Sequence, residues 1–203
     1  MKSRGKVRMA VFGIALMLGM LPHASSADGQ TLEELSAQWW QWALSIPTPD
    51  NPLNDPTVSK CAMGQQGPVW WIPVASSGTG ACTIPDTKAL FFPTLSYIFF
   101  DTPNICGQGA SVPVPEMRAL AAAYVDGITA QSIDLDGQPV VGLRRVQSPV
   151  FQVVLPEDNY FDANCTNLGG SPGGTFSPSI TDGYFVMLNP LRPGACWRVN
   201  ILS

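Results

Sequence analysis

From Leu32 to Ile46 apolar residues recur at three- and four-residue steps. Leu32, Leu35, Trp39, Trp42, Ala43 and Ile46 therefore share one face of a helix, with Glu34, Gln38, Gln41 and Ser45 opposite. Thr31 and Glu34 have capping-box spacing, in which the Thr hydroxyl and the Glu carboxylate each satisfy an otherwise orphan amide. Pro47 and Pro49 end the helix. Three of the six tryptophans lie between positions 39 and 42. Trp39 and Trp42 read as core packed onto a sheet. Trp40, on the flank with Leu44, is the candidate to face a groove or a sugar ring.

After a Pro, Asn and Asp rich loop the pattern changes to strands. Val69 to Val74, a Ser/Gly turn at 76–80, and Cys82 to Ile84 predict a hairpin. Lys88 to Phe92 and Leu95 to Phe100 are two apolar runs either side of Pro93, predicted as central strands buried on both faces. Pro115 to Asp126 predicts a second helix, stopped at Gly127, whose apolar face is Met117, Leu120, Ala121 and Tyr124. Ser132 to Leu135 and Pro139 to Val141 flank Asp136-Gly137, a preferred hairpin turn. Val150 to Leu155, Tyr184 to Leu188 and Trp197 to Leu202 complete the strands, with a polar loop from Pro156 to Pro178. The fold class expected is β-rich, an all-β sandwich or jelly-roll-like arrangement with two packed helices, stapled by disulfides.

The first 27 residues change this picture. Lys2, Arg4, Lys6 and Arg8 precede a thirteen-residue apolar or Gly run, Met9 to Leu21. Pro22 breaks the run, and Ser25 and Ala27 take the −3 and −1 positions of a cleavage site. The run fits a secretory signal and is too short for a bilayer span. The expected organisation is a signal peptide at 1–27 and one exported domain at 28–203, secreted or periplasmic. Cleavage would leave seven of the eleven basic residues against fifteen acidic ones, a net charge near −8. Such a chain has no electrostatic footprint for nucleic acid, and no later segment is long and apolar enough to span a membrane.

Export also gives the five cysteines a meaning, because an oxidising compartment favours disulfides. Cys61 with Cys82 is the preferred bridge, since both flank one predicted strand and its turn. Cys106 with Cys165 is the next pair, which leaves Cys196 over.

Absences narrow the chemistry. His23 is the only histidine and lies in the signal, so ordinary Ser-His-Asp or Cys-His catalysis is excluded from the exported part. His-based metal sites go with it, and no cofactor is called for. Gly169 to Gly173 spells G-x-S-x-G, but Pro172 follows Ser171 and offers no amide for an oxyanion. Asp101, Glu116, Glu157, Asp158 and Asp182 are the acids from which a hydrolase would draw a carboxylate pair. Asp158 and Asp162, with Asn159 and Asn164, are weak calcium candidates. Trp70 and Trp71 are adjacent on a predicted strand and point to opposite faces, so one of them is a candidate platform for stacking on a sugar.

The set Trp39-Trp40-Gln41-Trp42-Ala43-Leu44-Ser45-Ile46-Pro47, Cys61-Ala62-Met63-Gly64-Gln65-Gln66-Gly67-Pro68-Val69-Trp70, Cys82-Thr83-Ile84-Pro85 and Lys88-Ala89-Leu90-Phe91-Phe92-Pro93 resembles a family of uncharacterised bacterial exported proteins. The resemblance continues through 146–151 and 177–184, so it covers most of the exported part. It carries no catalytic residues. It implies a histidine-containing strand after the position of Gly194, where this chain ends with Ala195 to Ser203, so a truncated or divergent tail is expected. The function expected is an exported binding or envelope-associated module with carbohydrate or a cell-envelope component as partner. The alternative is a carboxylate-dependent hydrolase of an extracellular polymer.

Overall fold

A computed structural model describes residues 29–73, 82–128, 134–135, 138–162 and 172–190. The signal segment, Cys165, Cys196, most of the G-x-S-x-G stretch and the last predicted strand lie outside the described residues.

Helix α1 spans Leu32–Ser45 and opens as the sequence requires. The Glu34 amide donates to the Thr31 hydroxyl at 3.2 Å, and the Glu34 carboxylate accepts from the Thr31 amide at 2.9 Å. Its far end is closed by a residue that the pattern did not single out. Asn51 is fully buried, and its Nδ2 donates to the carbonyls of Ala43 at 2.8 Å and Ile46 at 2.9 Å. These are orphan carbonyls of a helix end, which need such a partner when buried.

The strands are β1 (Val69–Trp71), β2 (Ala89–Phe100), β3 (Asp134–Leu135), β4 (Gln138–Pro139), β5 (Arg144–Gln147), β6 (Phe151–Leu155) and β7 (Gly174–Leu188). Helix α2, Val114–Asp126, lies between β2 and β3. Strands β1, β2, β7 and β5 lie in that order, β6 also pairs with β7, and the five form one curled, half-barrel sheet. Strand β7 serves as the spine. One edge pairs with β2 from Leu188 to Ser179, and the other carries β5 and then β6. Strands β3 and β4 form a separate ribbon, as the Asp136-Gly137 signal predicts.

Three expectations are corrected. Strand β1 does not form a hairpin with Cys82 to Ile84. It pairs parallel with β2, Val69 against Ala89 through Trp71 against Phe91. Pro93 does not separate two strands either. Strand β2 runs through it, and the register shifts between Pro93 and Leu95, so the missing amide falls at an irregularity. Strand β7 starts ten residues before its predicted onset, because Ser177, Pro178, Thr181 and Asp182 hide it among polar residues.

The curl is closed by contact. Gly183 pairs with Ser96, and a Cβ on it would lie 2.4 Å from the Leu95 carbonyl oxygen and 2.6 Å from the Ser96 Cα. No side chain fits there.

Both faces of the sheet are covered. On one face α1 packs Leu35, Trp39, Trp42 and Ala43 against Trp71, Phe91, Val153 and Phe185. The Phe91 and Phe185 rings stack at 5.5 Å. On the other face Trp70, Ile72, Leu90, Phe92 and Val186 enclose the Cys61–Cys82 disulfide, and α2 places Met117 and Ala121 on Ile180. The first of these faces holds four buried tryptophans, Trp39, Trp40, Trp42 and Trp71. Each fully buried large apolar residue there contributes about 1.5–3 kcal/mol relative to exposure.

Candidate functional site

The first half of β2 is fully buried, whereas Leu95 to Phe100 is half-buried throughout. The topology explains the difference. Strand β1 covers only Ala89 to Phe91, so among the described residues no strand pairs with the outer edge of Leu95 to Phe100.

The direction of that edge's backbone follows from three bonds. The Asp101 amide donates to the Pro178 carbonyl at 3.0 Å, and the Tyr97 carbonyl accepts from the Thr181 hydroxyl at 2.8 Å. Positions 97 and 101 thus face β7. Thr181, opposite Ile98, turns its own backbone away from β2 toward Ser148: its carbonyl accepts at 3.0 Å and its amide donates at 2.9 Å. Alternation along an antiparallel ladder then points the amides and carbonyls of Ser96, Ile98 and Phe100 outward.

A cavity of about 220 Å³ lies on this edge. Tyr97, Ile98, Phe99 and Phe100 form one wall, and Phe161 and the loop at Thr102, Cys106 and Gln108 form the other. The polar side chains on the loop are already engaged. Gln108 Oε1 accepts from the Thr102 amide at 3.0 Å and its hydroxyl at 2.9 Å, while Nε2 donates to Asp101 and to the Ala110 carbonyl. Cys106 is disulfide-bonded, and its expected partner Cys165 lies outside the described residues. Asp101 anchors the loop. Burial pushes its carboxyl up, but hydrogen bonds from the Ser111 hydroxyl, the Val112 amide and Gln108 outweigh this and hold it below the usual carboxylate range. The groove therefore offers apolar walls and backbone hydrogen bonds, and little side-chain polarity.

Helix α2 extends the site. Arg118, Ala122 and Asp126 line the flank that bonds toward β5, through the Ser148 carbonyl and Arg145. The opposite flank carries Leu120 and Tyr124, 47% and 51% exposed. The Tyr124 ring lies 4.7 Å from that of Tyr97. The predicted face of α2 holds for Met117 and Ala121 and fails for Leu120 and Tyr124. Met117, Ala121 and Val125 are buried, and Leu120 and Tyr124 are left beside the open edge. The two apolar stripes differ by one position, and the stripe that faces down is the one that also brings Arg118 to the Ser148 carbonyl and Asp126 to Arg145.

The three tryptophans chosen from the sequence do not come together here. Trp40 is buried, and its indole N–H donates to the Thr181 hydroxyl at 3.0 Å. Trp71 packs against Phe91 under α1, and Trp70 sits in the disulfide cluster, where its buried N–H has no partner among the described residues. Both faces of β1 are covered, so neither ring exposes a face to stack on a sugar. Asp162 is used in a turn, its carboxylate accepting from the Asn159 amide at 2.8 Å, and Asp158 lends its carbonyl to the Thr48 amide. Among the described residues no three acidic, cysteine or histidine side chains converge as a metal site.

Of the five acids, two are structural. Asp101 holds its loop, and Asp182 is 1% exposed under a fork of Arg145, 2.9 Å from Nε and 3.1 Å from Nη2, with Gln147 at 2.9 Å. Glu116, Glu157 and Asp158 are exposed.

In the sequence Tyr97, Phe99, Leu120 and Tyr124 all fit core positions. A weak signal was present: Leu95 to Phe100 contains no charge to protect an edge, and Met117-Ala121-Val125 offers a second helical stripe. No family model, no curated protein and no solved structure matches the chain.

Proposed function

We propose that the protein is an exported, envelope-associated binding module that takes an extended polypeptide segment along the outer edge of β2. One observation carries the reading: the outward backbone groups of Ile98 and Phe100 face a groove whose polar side chains are spent within its own loop. An extended segment supplies the complementary amides and carbonyls at the same two-residue step, and its alternate side chains fill the aromatic wall. Export rests on the signal-like start, and kinship with the exported family rests on the motifs quoted above. An added strand would carry the half-barrel toward the sandwich-like closure expected from the strand count.

Selection of a random peptide library against the exported chain tests this. Recovered sequences should alternate apolar residues without central proline, and binding should fall at least tenfold in Ile98→Pro. Sequences with no such pattern would contradict the reading.

Carbohydrate is the second ligand class, favoured by the half-exposed Tyr124 ring beside Tyr97. Glycan binding lost in Tyr124→Ala would select it over the peptide. The hydrolase reading would need two free carboxylates, and of its five candidate acids Glu116, Glu157 and Asp158 are exposed and not engaged structurally as Asp101 and Asp182 are.

A further inference from the structure

We infer that the segment accepted at the β2 edge is a basic one, presenting two apolar side chains and then a Lys or Arg at successive positions of one face. The inference rests on the strand-accepting reading and names the chemistry of its ligand.

The first argument is spacing. Helix α2 runs alongside β2 in the opposite direction. Arg118 bonds to the carbonyl of Ser148, whose hydroxyl meets the Thr181 amide, and Thr181 stands opposite Ile98. Eight residues later Asp126 bonds to Arg145, level with Tyr184 and Leu95. Glu116, Leu120 and Tyr124 are four residues apart, so they share the flank that turns Tyr124 to Tyr97. Four helical residues advance about 6 Å. Two strand residues advance about 6.6–6.8 Å, so the two repeats match over this length.

Tyr97 and Phe99 point to the α2 side, and a segment beside them presents every second side chain to the helix. The side chain level with Tyr97 then meets Tyr124, the next, level with Phe99, meets Leu120, and the third, level with Asp101, meets Glu116. The first two contacts are apolar, and the third is acidic and exposed.

Charge is the second argument. Between Leu95 and Met117, and between Phe151 and Asp162, the chain has no lysine or arginine. The same stretches hold Asp101, Glu116, Glu157, Asp158 and Asp162, and Asp162 adjoins Phe161 on the far wall. Arg118 and Arg145 bond toward β5 and β7, away from the edge. A cationic segment is therefore drawn to this edge, and an acidic one is repelled by it and by the net −4 of the chain.

The groove is the third. Its cavity of about 220 Å³ is below the roughly 300–1,000 Å³ of a small-molecule pocket, so it suits side chains of a longer ligand. None of the residues that line it is charged, so discrimination by charge falls to the α2 flank.

Fluorescence anisotropy with three labelled, end-capped peptides tests this. The first is Lys-Thr-Val-Thr-Val-Thr-Lys, which reads the same in either direction, and the others replace both lysines by Gln or by Glu. At low salt the Lys peptide should bind at least tenfold tighter than the Glu peptide, with the Gln peptide between them. The gap should narrow at high salt. Glu116→Lys, at an exposed position, should keep the wild-type melting temperature and reverse the order of the Lys and Glu peptides. Glu116→Gln should cut the preference at least threefold, and replaces the reversal if that variant fails to fold. Equal affinity for all three peptides, or a preference that both Glu116 variants leave unchanged, would overturn the inference and leave the strand-accepting site standing. No binding of any peptide at millimolar concentration would remove both.

Discussion

Single residues decide how tightly this fold is held, and two of them make testable cases. Asp55 is buried, which by itself pushes its carboxyl up. Hydrogen bonds from the Thr57 hydroxyl, the Lys60 amide, the Ser59 hydroxyl and the Thr57 amide outweigh that and hold it at about 2. A folded value below the unfolded one stabilises above the unfolded value, and the gain is lost as pH falls from about 4 through about 2. Wild type should exceed Asp55→Asn by on the order of 1–2 kcal/mol at neutral pH, and the gap should close toward pH ~2 in urea melts. A gap independent of pH would contradict this. Trp40→Phe removes the bond to Thr181 and leaves a small void, and should cost about 1–3 kcal/mol in the same assay. The capping box at Thr31 was legible because its partners are three residues apart. The burial of Trp40 was not, because the hydroxyl that receives its N–H is 141 positions away.

At the scale of elements, local pattern was reliable for what an element is and weak for what it touches. Helices α1 and α2 start and stop within a residue of their expected ends, since caps and prolines act locally. The parallel pairing of β1 with β2 was hidden, because nothing near Val69 distinguishes a partner at Ala89 from one at Cys82. The rotation of α2 was hidden for a similar reason: two overlapping apolar stripes share Met117 and Ala121, and only the packed sheet shows that Val125 completes the buried one. Nothing in the sequence singled out Gly183, whereas a Cβ on it would run into the Leu95 carbonyl and the Ser96 backbone of β2. Gly183→Ala should cost about 1–3 kcal/mol or more in chemical denaturation. Gly109→Ala, with open space around its Cβ position, should be nearly neutral.

The whole molecule is tied across its layers by Arg145. Its guanidinium joins β5 to the buried Asp182 of β7 and to Asp126 at the end of α2, and these bonds, Asp182 first, hold its proton more tightly than usual. The two contacts are unequal. Arg145→Met leaves a carboxylate buried without its cation, and a loss of about 3–5 kcal/mol is expected. Asp126→Ala removes only the exposed arm, and less than about 1 kcal/mol is expected. Thermal melts of both variants check the contrast. Sheet-rich class, two helices and the Cys61–Cys82 bridge were readable from pattern and cysteine spacing. The edge that no strand covers among the described residues was not, since an uncharged aromatic run reads the same at the centre of a sheet and at its margin.

That edge is the centre of the account, and residue-resolved amide hydrogen exchange of the dilute exported chain examines it most directly. The amides of Ser96, Ile98 and Phe100 should exchange quickly while those of Leu95, Tyr97 and Phe99 are protected by β7, and the fast set should become protected when an alternating peptide recovered by selection is added. Uniform protection from Leu95 to Phe100 in the dilute chain would show that the edge is already paired and would contradict the assignment of this surface as the binding site.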